Sequence, residues 1–179
     1  IPHRSVGYTF NDDGSVRVVH NYNFDVAGDG QLYSTMEDLL RWDNYLHGVT
    51  KPAIHGQMLT EGVLNNGETI GYAQGLRLDE HRGLRRVGHS GSSWGFRTEL
   101  VRYLDAGLSI AISCNFASAN PGVLARRVAE HYLADRMQPE SAEALRNVDP
   151  DEDDRISEQP LLMPDQLEAY TGDYFSAEL

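Results

Sequence analysis

The sequence predicts an α+β fold, an antiparallel sheet packed by helices, and three observations carry that reading. Short alternating runs follow one another with tight turns between them over the middle of the chain. Amphipathic helical segments stand before and after those runs rather than between them. No alternating βαβ pattern is present, so the Gly28-Asp29-Gly30 pair lacks the setting and the third glycine of a dinucleotide-binding turn.

Taken in order, Gly7-Tyr8-Thr9-Phe10 and Val16-Arg17-Val18-Val19 flank Asp12-Asp13-Gly14 and read as a hairpin. Ser34 or Thr35 supplies a helix cap, with Glu37 or Asp38 three residues later able to reach back to the free amides. Met36, Leu39, Leu40, Tyr45 and Leu46 form the apolar stripe of that helix, Trp42 reads as a core residue, and Gly48 ends it. A shorter helical region surrounds Gln57-Met58-Leu59. Gly71–Leu78 reads as a strand, followed by Leu84–His89, Phe96–Leu104 and Leu108–Cys114, with Asp105-Ala106-Gly107 turning between the last two. Leu108–Ile112 is almost continuously apolar, as befits a central strand covered on both faces. Asn120-Pro121 opens a helix carrying Val123, Leu124, Val128, Tyr132 and Leu133 to about Met137.

The domain expectation is a folded unit over residues 1–148, an acidic linker over 149–160 containing Asp149-Pro150-Asp151-Glu152-Asp153-Asp154, and the start of a further unit over 161–179. Of the 179 residues, 40% are hydrophobic and 23% charged, the balance of a globular chain rather than a disordered one. A formal charge of −12 disfavours nucleic acid and anionic membranes, which need a basic face. No apolar run reaches the ~20 residues of a membrane span. The single cysteine, Cys114, excludes an internal disulfide and a cysteine-rich zinc site, and the histidines show no metal-ligand spacing. No cofactor motif is present.

Chemistry concentrates in Val87-Gly88-His89-Ser90-Gly91-Ser92-Ser93-Trp94-Gly95-Phe96, where an imidazole, hydroxyls and closely spaced glycines meet at one strand end. Such a strand end can grip an anionic or tetrahedral group. His89 reads as a site residue or as a structural histidine satisfied by nearby backbone; its glycine-flanked position favours the site. Ser90 goes with it. Trp94, Tyr22 and Tyr33 are either cleft-lining or packing aromatics, and only Trp94 lies beside the motif. Gly91-Ser92-Ser93-Trp94-Gly95 spells G-x-S-x-G, but a nucleophile elbow needs a helix after it, and Phe96–Leu104 alternates like a strand.

Two segments carry a resemblance. Ala27-Gly28-Asp29-Gly30-Gln31-Leu32-Tyr33-Ser34-Thr35-Met36-Glu37-Asp38-Leu39-Leu40-Arg41-Trp42 is similar to a stretch of the serine β-lactamase/penicillin-recognising superfamily, in its class C-like branch with the related D-aminopeptidases and esterases. His89-Ser90-Gly91 resembles the third motif of that family, Lys-Thr-Gly in β-lactamases and often His-x-Gly in the aminopeptidase and esterase relatives. Together they cover about residues 5–137.

The resemblance implies a β-lactamase/transpeptidase-like sandwich and an acyl-enzyme mechanism on a β-lactam, a D-amino peptide or a small ester. It makes His89 the group that meets the substrate carboxylate or assists proton traffic, and Ser90 a hydrogen-bond donor to that carboxylate. Gly91 becomes the point where substrate backbone approaches, and the Ser92 amide one of two oxyanion donors. An exported or periplasmic setting goes with such relatives.

The family's Ser-x-x-Lys is absent: Lys51 is the only lysine, and Gly48 stands three residues before it. The Tyr-x-Asn or Ser-x-Asn motif is also missing in the right order, since Ser113-Cys114-Asn115 follows the third motif. In the family both precede the Gly28 segment, so the expectation is the C-terminal part of a catalytic domain, its N-terminal part lying upstream of Ile1. Tyr170–Ser176 resembles the opening of a following β-barrel domain. Expected partners are a small-molecule or peptide substrate, the N-terminal part of the same domain, and a second copy of the chain through an uncovered sheet edge. The competing reading is a non-catalytic binding module on the same fold.

Overall fold

The computed structural model describes residues 4–20, 30, 32–48 and 53–139. The expected linker at 149–160 and the segment 161–179 lie outside the described residues, as do Tyr22 and the Ala27–Asp29 part of the glycine segment.

The architecture is α+β. A hairpin of β1 (Gly7–Phe10) and β2 (Val16–Val19) comes first, then helix α1 (Met36–His47) and the single turn α2 (His55–Met58). A four-stranded antiparallel sheet follows, β3 (Arg77–His81), β4 (Leu84–Ser93), β5 (Phe96–Tyr103) and β6 (Leu108–Cys114), in the spatial order β3-β4-β5-β6. Helix α3 (Pro121–Leu133) and a short 3-10 turn (Ala134–Arg136) complete it.

Two connections in the sheet are two-residue turns. Arg82-Gly83 joins β3 to β4 with φ of 49° and 79°, and Trp94-Gly95 joins β4 to β5 with φ of 47° and 82°. Left-handed backbone at both central positions matches the strand twist, and glycine supplies the second at no steric cost. The sequence reading set the first of these strands at Gly71–Leu78; it lies instead at Arg77–His81, and residues 71–76 are turns joined to it by a single Tyr72–Arg77 bridge. The polar run Asp79-Glu80-His81 hid the strand, because its inward face is charged rather than apolar.

Helix α1 starts where expected. Thr35 Oγ1 accepts from the Asp38 amide at 3.2 Å, while the Asp38 carboxylate turns to Arg41 at 2.7 Å instead of reaching back. Gly48 ends the helix, its amide donating to the Asn44 carbonyl at 2.8 Å. The buried side of the helix differs from the expected stripe. Asp43 and Leu46 are buried and Met36 and Leu39 half-buried, whereas Leu40, Tyr45 and Trp42 are exposed. Trp42 is therefore a surface residue, not core. A buried polar contact decides the rotation: Asp43 Oδ2 accepts from Arg102 Nη1 at 2.7 Å and from Ser109 Oγ at 2.5 Å, pinning α1 to β5 and β6.

The opposite face of the sheet packs on α3. Leu84, Val101, Tyr103, Ile110, Ala125, Ala129, Leu133 and Met137 form the core. Of the expected α3 stripe, Val123 and Leu133 are buried but Leu124, Val128 and Tyr132 are exposed. The side that docks is the one with Ala125 and Ala129, small enough for close approach of helix to sheet. Strand β6 has both faces contacted, by α1 and α3, but it is the outer strand among the described residues rather than a central one. Strand β1 lies alongside the residues that follow β6 through a parallel Tyr8–Phe116 bridge, with the Tyr8 amide donating to the Asn115 carbonyl at 2.8 Å.

No helix among the described residues is long and apolar enough to cross a membrane.

Candidate functional site: the free edge of strand β4

Strand β4 outruns its neighbour. Its first half pairs on both sides, Leu84–Gly88 with β3 and Arg86 onward with β5. Strand β3 starts opposite Gly88, so His89–Ser93 pair with β5 alone among the described residues.

The register fixes which main-chain groups this leaves open. A two-residue turn closes on a hydrogen-bonded pair, here Ser93 and Phe96, and bonded pairs then alternate along an antiparallel ladder. Gly91–Thr98 and His89–Leu100 are thus bonded pairs, while Ser92 and Ser90 turn their amide and carbonyl away from β5. The same count from the Arg82-Gly83 turn directs Leu84, Arg86 and Gly88 toward β3. The Leu104 amide donating to the Arg85 carbonyl at 2.9 Å fits that parity. The main-chain groups of Ser90 and Ser92 therefore face the side that β3 has vacated.

Glycine is needed along this strand for close approach. A Cβ on Gly88 would lie 2.3 Å from the Leu100 carbonyl oxygen and 2.8 Å from Val101 Cα. One on Gly91 would lie 2.4 Å from Thr98 Oγ1.

Side chains alternate across the sheet. His89 and Gly91 lie on the α1 side, with Leu100 opposite His89; Ser90 and Ser92 lie on the α3 side, opposite Glu99 and Arg97. The imidazole and the two hydroxyls thus do not converge on one face; what they share is the strand edge. His89, Ser90 and Ser92 are exposed, and Gly91 and Trp94 are half-buried. Trp94 occupies the hairpin turn, where Gly7 packs so closely that a Cβ there would strike the Trp94 carbonyl. Ser93 ends a strand that turns into another strand, so the G-x-S-x-G match is a β-hairpin and not a strand–turn–helix elbow.

The His89 ring is held at both nitrogens. Nδ1 lies 2.5 Å from the Ser90 carbonyl oxygen, which only accepts, so Nδ1 carries a proton. Nε2 lies 2.9 Å from the Tyr72 hydroxyl, with the two rings edge-on at 75°. Tyr72 was not singled out by sequence, because Gly71–Leu78 read as a strand and left no reason for its side chain to reach a residue seventeen positions on.

A charged layer backs the site on the α3 side. Arg86 donates to both Asp79 oxygens, and Arg77 stands 3.1 Å from Asp79 and 3.6 Å from Glu99, which is 2% exposed. Farther along, His81 Nδ1 meets the Tyr103 hydroxyl at 2.7 Å, and its Nε2 lies 3.4 Å from Glu130. Burial, with the positive field of Arg86, Arg126 and Arg82, pushes His81 down to about 4, so it is neutral and its Nδ1 accepts a hydrogen bond from the Tyr103 hydroxyl. Burial also raises the Tyr103 phenol and the Cys114 thiol. Tyr33 is exposed under the Arg4 guanidinium at 5.1 Å and lines no part of this edge. His47 Nδ1 and His55 Nε2 come within 3.2 Å, a proximity their spacing did not signal. No group of three or more His, Cys, Asp or Glu residues that could hold a metal is found among the described residues.

Comparison with known proteins gives two findings. The family profile named Beta-lactamase matches residues 2–134, a span that includes all six strands and α1 to α3. Penicillin-binding protein 4* of Bacillus subtilis (strain 168) is 31% identical over 118 residues, 59% of this chain and 26% of that protein. The chain thus spans about a quarter of the length of this curated relative.

Proposed function

The chain belongs to the serine β-lactamase and penicillin-binding protein superfamily, and from that premise we propose that His89–Trp94 form the substrate-side wall of an acyl-transfer site. The observation that carries the reading is the open edge of β4. A substrate backbone laid along it finds the Ser90 amide and the amide and carbonyl of Ser92 unspent by β5, the arrangement by which an extended segment adds to a sheet, while the Ser90 carbonyl accepts from His89 Nδ1. In this reading the Ser92 amide is one oxyanion donor, and each such donor contributes about 3 kcal/mol to lowering the barrier. The Ser90 hydroxyl meets the substrate carboxylate from the α3 side, His89 borders the ligand from the α1 side, Gly91 keeps the strand surface low, and Trp94 borders the cleft.

The substrate class is a D-amino peptide or small ester ahead of a β-lactam, because His-Ser-Gly replaces the Lys-Thr-Gly of β-lactamases. The nucleophile is a serine outside this 179-residue sequence, which contains no Ser-x-x-Lys. The chain alone is therefore inactive, and it completes its site with the N-terminal part of the same domain. The same absence favours one alternative, a binding module that uses the edge without catalysis.

Two measurements test the proposal. Intact mass after incubation with a fluorophosphonate is expected unchanged, and an adduct on Ser93 or Ser90 would overturn the assignment of the nucleophile. Titration with N-acetyl-D-alanine, followed by backbone amide shifts, is expected to move His89–Trp94; shifts confined to other segments would remove the edge as the substrate wall.

A further inference from the structure

The two hydrogen bonds of His89 imply a role for a residue outside the strand. We propose that Tyr72 is the positioning residue of His89, fixing the orientation of a ring whose Nδ1–H form the Ser90 carbonyl sets, and standing between Nε2 and the ligand. The inference rests on the reading of β4 as the substrate wall.

A free neutral imidazole exchanges its proton between the two nitrogens and turns about χ2. Here the Ser90 carbonyl, 2.5 Å from Nδ1, admits only a donor at that nitrogen, which in the neutral ring leaves Nε2 with a lone pair. The Tyr72 hydroxyl, 2.9 Å away, is the donor that meets it. A carbonyl on one side and a hydroxyl on the other select one tautomer and one ring orientation, as the partner of a working histidine does. Neither bond suffices alone: the Ser90 contact fixes the proton but leaves Nε2 to water, and the Tyr72 contact without it accepts either tautomer, since a hydroxyl both donates and accepts.

The local chain shows why Tyr72 reaches this place. The Gly71 carbonyl accepts from the Leu78 amide at 2.7 Å, and the Tyr72 carbonyl accepts from the Gly62 amide at 2.8 Å. Residues 71 and 72 are thus tied down beside the start of β3, at the point where that strand stops covering β4. Gly71 has a φ of 63°, which a side chain would disfavour, and this turn directs Tyr72 across the gap. Tyr72 remains 38% exposed, so its hydroxyl is reachable from solvent. With both ring nitrogens engaged and its one proton given to Nε2, the Tyr72 oxygen offers lone pairs at this corner, so it meets a donor of the ligand such as an amide N–H rather than a carboxylate.

The test is the nitrogen spectrum of the His89 ring in the full chain and in Tyr72→Phe, with backbone amide spectra confirming an unchanged fold. In the unaltered chain Nδ1 is expected at a protonated-type shift and Nε2 at an unprotonated-type shift displaced upfield by the phenol. Tyr72→Phe is expected to lose that displacement at Nε2 and to keep the Nδ1 signal. N-acetyl-D-alanine is expected to bind the variant about fivefold more weakly, the loss of one ordinary hydrogen bond. A protonated-type Nε2 in the unaltered chain, or an Nε2 shift indifferent to the substitution, overturns the proposal. A normal ring spectrum with no response of β4 to N-acetyl-D-alanine would instead sink the substrate wall and leave the Tyr72 bond standing.

Discussion

The two halves of β4 are one strand under two regimes. Leu84–Gly88 pairs with β3 throughout and with β5 from Arg86 onward, and Leu84, Arg86 and Val87 are buried. Among the described residues His89–Ser93 has a strand on one side, and His89, Ser90, Ser92 and Ser93 are exposed. The break falls at Gly88, where β3 begins. The difference teaches that the open edge is made by stopping a neighbour rather than by adding a feature: the first half spends its main-chain groups on the sheet, and the second leaves the Ser90 amide and the Ser92 amide and carbonyl outside the ladder.

Substitutions should separate the halves, with the largest effects in the first. Gly88→Ala would drive a Cβ into the backbone of Leu100 and Val101, which cannot rotate away. A loss of about 3 kcal/mol or failure to fold is expected, read by urea denaturation. Gly91→Ala meets only the Thr98 hydroxyl, and about 1 kcal/mol is expected. Thr98→Ala in the same chain should recover most of it, and no recovery would show that the second half is packed more tightly than described.

Asp43→Ala leaves Arg102, on the face opposite α3, without its carboxylate. About 3 kcal/mol should be lost, the cost of stranding one partner of a largely buried pair. This contact, not the strand edge, holds α1 to the sheet, so the amide spectrum of His89–Ser93 should change little.

Acid probes the α3 face. His81 has its folded value lowered from 6.5 to about 4 by burial and neighbouring arginines, so its contribution is complete above pH 6.5 and is lost as pH falls toward 4. A decline of order 2–3 kcal/mol across that window is expected from this group. His81→Phe should flatten the window in pH-dependent denaturation; an unaltered slope would assign the acid sensitivity elsewhere.

The smallest effect is expected at Ser92. Proline there removes an amide that no strand among the described residues uses, so about 1 kcal/mol is expected, against ~3 kcal/mol or more for Gly91→Pro, whose amide belongs to the ladder. Equal costs at the two positions would contradict the register argument.

The alternation of short strands, the Thr35 and Asn120 caps and the glycine-rich strand end were legible in the sequence because each is a local signal. The site strand was found through His89-Ser90-Gly91, but its free edge was not, since that depends on where β3 begins. Arg77, Asp79 and His81 face inward with their partners Glu99, Arg86 and Tyr103, and a strand whose buried side is charged lacks the apolar alternation that announces one. The α1 stripe was misread for the same reason: Asp43 is buried because Arg102 and Ser109, 59 and 66 residues on, satisfy it. Tyr72 meets His89 only through the turn at Gly71. Pairings across such separations leave no periodicity to read.

Amide hydrogen exchange along β4 tests the central claim most directly. Protection is expected at Leu84 and from Arg86 to Gly88, and then only at His89, Gly91 and Ser93, with Ser90 and Ser92 exchanging fast. Ser90 and Ser92 as protected as Arg86 would mean that the edge is already covered, and it could not be the wall on which a substrate lies.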